Sequence, residues 1–171
     1  MKLTSQEEYG LRCLLQLARL ERGGGGMTLP EISHAEGIST HYAAKLMRLL
    51  RRGGFVKAAR GQAGGYTLAR AADQIVVGEA MAVLGGRLFD PRFCERHAGV
   101  EELCLRTTDC SVRSLWRAVQ LVVDQVLSKT TLRDLLMDER QVTSKVSGLV
   151  DVPAILKAPS RGQTPSPAKP V

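Results

Sequence analysis

Three features of this chain predict a mainly α fold with a small β wing. Serine or threonine caps stand ahead of short helical segments, a glycine-rich basic hairpin follows them, and one long apolar stripe lies near the C-terminal third. Together they outline a winged helix-turn-helix followed by a long dimerisation helix.

The first helix is expected to start at Thr4 or Ser5, because each hydroxyl has a glutamate three residues on, Glu7 or Glu8. Leu11, Leu14, Leu15 and Ala18 recur at helical spacing, and Leu17 widens the apolar face. Gly23 to Gly26 ends the helix as a flexible loop. Thr28, Pro30 and Glu31 form the next start, with Ile32 and Ala35 expected to supply the buried face. Gly37 suits a left-handed turn, and Ser39 then caps a third helix running to about Arg52. Gly53 and Gly54 stop it. Phe55 to Ala59 and Tyr66 to Ala69 read as two strands around the turn Arg60 to Gly65, which makes a basic wing.

A helix from about Val77 to Leu84 returns toward the core. Gly85, Gly86, Pro91 and Gly99 make the following segment irregular. From Ser111 to about Leu127, Val112, Leu115, Trp116, Val119, Val122, Val123 and Val126 form one stripe. A small winged domain has little core left to receive it, so a second subunit is the expected cover. Thr131 to Met137 reads as a short helix. The division expected is a DNA-binding domain over 1–84, a cysteine segment over 85–110, the dimerisation helix with its short helix over 111–137, and a disordered proline-rich tail over 138–171. The composition after Asp151 carries that last reading.

The 171 residues are 44% apolar and 24% charged, with net charge +7 and sequence pI near 9.6. Between Glu36 and Asp73 there is no acidic residue, while Lys45, Arg48, Arg51, Arg52, Lys57, Arg60 and Arg70 all fall there. A cationic face on a helix and hairpin suits a polyanion, because phosphate contacts release counterions and dominate affinity. An aromatic content of 4% argues against a base-stacking platform for single strands. No apolar run reaches the roughly 20 residues that span a bilayer. Glu7, Glu8 and Arg12 interrupt any export signal, so the expected compartment is the cytoplasm. Catalysis is not expected: no Walker loop, nucleophile elbow or His-Glu-x-x-His occurs.

Double-stranded DNA is therefore the expected partner. Ser39, Thr40, His41, Tyr42 and Lys45 lie where a recognition helix meets base edges. Tyr42 has an alternative place, packed between helices. Arg48, Arg51 and Arg52 reach phosphates from the helix edge or are simply hydrated. Arg60 and Gln62 at the wing tip suit a narrow minor groove, and Gly61, Gly64 and Gly65 let the backbone come close.

Of four cysteines, Cys13 stands alone in an apolar helix, whereas Cys94, Cys104 and Cys110 cluster. The cluster lacks the C-x-x-C knuckle of structural zinc, leaving iron–sulfur ligation, zinc or a thiol switch open. His97, three residues past Cys94, is a loop residue or a ligand. His34 and His41 take no metal role.

The order Met1-Lys2-Leu3-Thr4, Leu29-Pro30-Glu31-Ile32-Ser33, Gly37-Ile38-Ser39, Arg60-Gly61, Gly64-Gly65-Tyr66-Thr67-Leu68-Ala69-Arg70 and Cys110 before Leu115-Trp116 resembles the Rrf family of bacterial winged-helix regulators, IscR-like and NsrR-like members among them. The resemblance runs from Met1 to Met137. It implies a homodimer on a palindromic operator and an iron–sulfur cluster, 2Fe–2S or 4Fe–4S, held by Cys94, Cys104 and Cys110. It thus implies a transcriptional regulator that senses iron, redox state or nitric oxide. The gap from Cys104 to Cys110 matches the family, whereas Glu95 to Leu103 lengthens the gap before it. IscR-like members carry a histidine ligand where this chain has Arg113. Glu8 matches an acidic fourth ligand of nitric-oxide-sensing relatives, or else partners Ser5 in a capping box. A metal-free thiol switch on DNA and a winged protein-interaction module are the alternatives.

Overall fold

A computed structural model of the chain describes residues 3–59, 64–90, 93–96, 104, 106 and 109–149. Helices α1 (Ser5–Leu20), α2 (Leu29–Glu36) and α3 (Thr40–Arg52) come first, followed by strands β1 (Val56–Ala59) and β2 (Gly65–Leu68). Then come α4 (Val77–Leu84), α5 (Phe93–Arg96), α6 (Ser111–Ser128) and α7 (Glu139–Ser147).

Local chemistry explains the starts of the first three helices. Thr4 caps α1, with its hydroxyl facing the Glu7 amide while the Glu7 carboxylate accepts from the Thr4 amide at 2.9 Å. The box is therefore Thr4 with Glu7, and Glu8 is not the capping partner of Ser5. Thr28 and Glu31 repeat the arrangement at α2, the Thr28 amide donating to the carboxylate at 2.7 Å. That donation, with the Thr28 hydroxyl, holds the Glu31 carboxyl below its ordinary range. Gly37 turns the chain at φ +63°, a left-handed conformation that favours glycine. Ser39 then caps α3, accepting from the Tyr42 amide at 3.2 Å.

The core forms where α1 backs onto α2, α3 and α4. Leu14, Leu17, Ile32, Leu46, Met47, Leu50, Phe55, Ile75 and Leu84 are buried in it, and Leu132 from beyond α6 joins them. One expectation at α2 is overturned: Ala35 faces solvent, and the residue buried one turn after Ile32 is Glu36. Its carboxylate has partners on α1, which local periodicity does not reveal.

The hairpin pairs Val56 with Leu68 and Ala59 with Gly65. Met27 adds a bridge on the other side, donating to the Tyr66 carbonyl at 2.9 Å and accepting from its amide at 2.7 Å. The glycine run before it is thus partly ordered, with a 3-10 turn at Glu21–Gly23 leading to that bridge. A Cβ on Gly65 would stand 2.9 Å from the Met27 backbone. Close packing of β2 on the strand-like Met27 therefore requires a glycine at 65, whatever the wing does with DNA.

Helix α6 lies against α4, where a Cβ on Gly78 would come within 3.3 Å of the Leu127 backbone. Much of its apolar surface stays uncovered: Val112 is 60% exposed, Leu115 58% and Trp116 40%. The expected short helix at Thr131–Met137 is a 3-10 turn, Asp134–Leu136. The 138–171 tail was expected to be disordered from its start, yet α7 is built there. Asp138 and Gln141 form a third capping box, and Lys145 reaches Asp134 at 2.5 Å. Residues 150–171 lie outside the described residues.

Candidate nucleic-acid interface and sulfur segment

Helix α3 sorts its residues by face. Ala43, Leu46, Met47 and Leu50 point into the core, while His41, Lys45, Arg48 and Arg52 share the solvent side at spacings of four, three and four residues. No acidic side chain interrupts that row, so the face is a continuous cationic strip. Such a strip suits the groove edge, where each neutralised phosphate adds affinity. Thr40 is exposed beside the helix start, its hydroxyl 3.3 Å from that of Ser33. Tyr42 takes the packing alternative: it is half-buried, its ring edge-on to Tyr9 with centroids 6.4 Å apart. Lys45 Nζ lies 5.8 Å from the same ring.

Gly64 and Gly65 stand at the start of β2 beside the wing, whereas Arg60, Gly61 and Gln62 lie outside the described residues. Arg51 and Lys57 are exposed. Arg70 is engaged internally: it pairs with Glu79 at 2.7 Å and stacks over Phe55.

Sequence reasoning missed one polar centre behind α3. Glu36 is 6% exposed; one carboxylate oxygen accepts from Arg12 Nε and the other from Gln16 Nε2, both at 2.6 Å. That contact raises the Arg12 guanidinium above its ordinary value. The signal was present in the spacing, since Arg12 and Gln16 lie one turn apart on α1 and Glu36 lies one turn after Ile32. Glu8 is exposed and lies 4.0 Å from the Arg12 guanidinium.

The sulfur segment is tied to α6 near both ends. Before it, the Phe89 amide donates to buried Gln120 at 2.7 Å, and Arg87 pairs with Asp124. At its end, Cys110 is the N-cap of α6, its Sγ accepting from the Arg113 amide at 3.4 Å. Cys94 lies in α5, and Cys94, Cys104 and Cys110 are each half-buried and outside any disulfide. Three thiols are the donor chemistry an iron–sulfur cluster requires, and the first-turn amide at Cys110 offers a donor to a sulfur carrying negative charge. Among the described residues, however, no three His, Cys, Asp or Glu side chains converge to hold a metal ion. His97 lies outside those residues. Cys13 is fully buried on α1, and burial, then the nearby Glu36 charge, pushes its thiol up to about 12, so it stays protonated and inert near neutrality.

Residues 3–138 match the model of Rrf2, described as "Iron-dependent Transcriptional regulator". The chain belongs to the Rrf2 family.

Its Rrf2 relatives include Protein rrf2 of Nitratidesulfovibrio vulgaris, 33% identical over 81% of this chain and 89% of that protein. The HTH-type transcriptional regulator IscR of Sodalis glossinidius is 34% identical over 81% of each chain. A solved structure of CymR, the global cysteine regulator of B. subtilis, superposes with TM-score 0.64 at 33% identity, covering 81% of this chain and 99% of that one. The Rrf2 fold and its winged helix-turn-helix accordingly frame this molecule, and its family is one of transcriptional regulators that act on DNA and not of enzymes. Among the described residues no helix is long and apolar enough to cross a membrane.

Proposed function

We propose that this Rrf2-family regulator acts in the cytoplasm as a homodimer on a palindromic DNA operator, with α3 in the major groove and the wing beside it. We further propose that Cys94, Cys104 and Cys110 hold an iron–sulfur cluster as its sensor. The observation that carries the sensor is the placement of the three unpaired thiols: they occupy the one segment joining the reading head to α6, and α6 is tied to that segment near both ends. The uncovered apolar face of α6 supports pairing with a second copy, which would set two α3 helices across successive major grooves about 34 Å apart. Glu8, exposed on α1, is available as a further ligand from a partner subunit.

A cluster held by these thiolates supplies redox and nitric-oxide chemistry. The chain's own part is mechanical. Cys110 caps the first turn of α6, so a shift of its sulfur moves that turn, while Gln120 and Asp124 hold residues 87–89 against the helix middle. Repositioned α6 helices change the separation of the two reading heads, and with it operator affinity.

A metal-free thiol switch is the second reading. It is favoured by the lack, among the described residues, of three converging ligand side chains, and by the likeness to Staphylococcus aureus CymR, one solved structure of which is of its oxidized form. Anaerobic purification of the full chain separates the two. The expected result is visible absorbance, iron and inorganic sulfide in equal number, and a dimer mass carrying both in native mass spectrometry. A colourless protein without iron, prepared anaerobically, contradicts the cluster.

A further inference from the structure

Behind α3, a carboxylate is buried one turn after Ile32, at a position where helical periodicity would place an apolar side chain. A leucine at position 36 would cover the same core at a smaller desolvation cost, so stability alone does not call for a charge there. What the charge adds is direction. Glu36 is the last residue of α2 and immediately precedes Gly37, the left-handed turn that leads into α3. Its oxygens are gripped from one side by Arg12 and Gln16, both on α1 and both at 2.6 Å. Each oxygen takes one donor, so the bond pattern fixes the orientation of the carboxyl plane.

The same arginine reaches α3 by a second route. Its guanidinium lies 5.2 Å from the Tyr9 ring centroid, and Tyr9 meets the Tyr42 ring edge-on. Arg12 thus holds the end of α2 directly through Glu36, and it also packs on Tyr9, the ring that meets the first turn of α3. We propose that Glu36, with Arg12 and Gln16, is a positioning clamp that sets the angle of α3 on α1, and so the discrimination of operator from other DNA. Base readout needs side chains placed to within about 0.5 Å and 10–20°, whereas phosphate contact tolerates more. A loosened clamp therefore costs specific binding and spares non-specific binding. The inference rests on the proposal that α3 enters the major groove.

The test uses the full chain and two labelled duplexes: one enriched from a random pool by the wild-type protein, and a scramble of it. Glu36→Gln keeps the shape, but one end of the amide is an NH2 that donates, so it cannot accept from Arg12 and Gln16 at separate ends as the carboxylate does. Arg12→Lys, at a half-exposed position, keeps the charge and removes the Nε bond. Both are expected to lower the ratio of selected to scrambled affinity about tenfold at a temperature where each is fully folded, with scrambled binding and its salt slope unchanged. A fall in melting temperature with an unchanged ratio in both variants means a purely structural pair and overturns the proposal. Lys45→Ala separates this failure from failure of the groove reading. If Lys45→Ala weakens binding to the selected duplex or lowers its salt slope while the clamp variants leave the ratio unchanged, the clamp alone is wrong; if Lys45→Ala changes neither affinity nor slope, the placement of α3 is wrong and the clamp falls with it.

Discussion

Replacing Lys45 and Arg48 together with glutamate is expected to weaken binding to an operator duplex by roughly 100-fold or more. The two side chains are neighbours on the solvent face of α3, one turn apart, with no acidic residue from Gly37 to Ala72 to offset them. Reversal removes two cations from the groove edge and places like charge against phosphate. Because counterion release scales with the phosphates neutralised, the slope of log affinity against log salt should fall by about 2. The fold should survive, since neither residue contributes to the buried set. Fluorescence anisotropy over a salt series reads both quantities. An unchanged slope would mean that this face does not meet DNA, and the wing or another surface would have to carry the contact.

Leu50→Ala is expected to cost about 2–5 kcal/mol of unfolding free energy. Leu50 is fully buried on the inner side of α3, and its carbonyl also accepts from the Phe55 amide at 3.0 Å where the chain turns into β1. Truncation leaves a cavity under the recognition helix and beside the first strand of the wing. Against a total stability of about 5–15 kcal/mol such a loss is large. Urea denaturation followed by circular dichroism measures it; a loss under about 1 kcal/mol would show that the inner face of α3 is not the packing surface described.

Much of the reading head was legible because its signals are local. Thr28 with Glu31, Gly37 before Ser39, and the alternation of core and cation along α3 each depend on residues within one or two turns. The errors came where a distant partner decided the outcome. Ala35 looked apolar enough to be buried, but Arg12 and Gln16 supply a place for Glu36 instead. Thr4 and Ser5 offered two equivalent capping boxes, and the hydrogen bonds between Thr4 and Glu7 show that this is the one built. Tyr42 was open between base contact and packing, and the edge of Tyr9 claims its ring. Helix α7 was hidden by the proline-rich composition of the residues after Asp151, although Asp138 and Gln141 carried the same kind of box that marked α2. The cysteine spacing revealed candidates without their convergence, because three thiols across a segment of this length meet only where tertiary or partner contacts bring them together.

Operator affinity of one anaerobic preparation, measured before and after its iron is stripped with a chelator, tests the link between sulfur segment and reading head most directly. The account predicts a change of about 5- to 150-fold between the two forms, corresponding to a coupling of about 1–3 kcal/mol, and no such change in Cys104→Ala. Equal affinities for iron-loaded and stripped wild-type protein would contradict it.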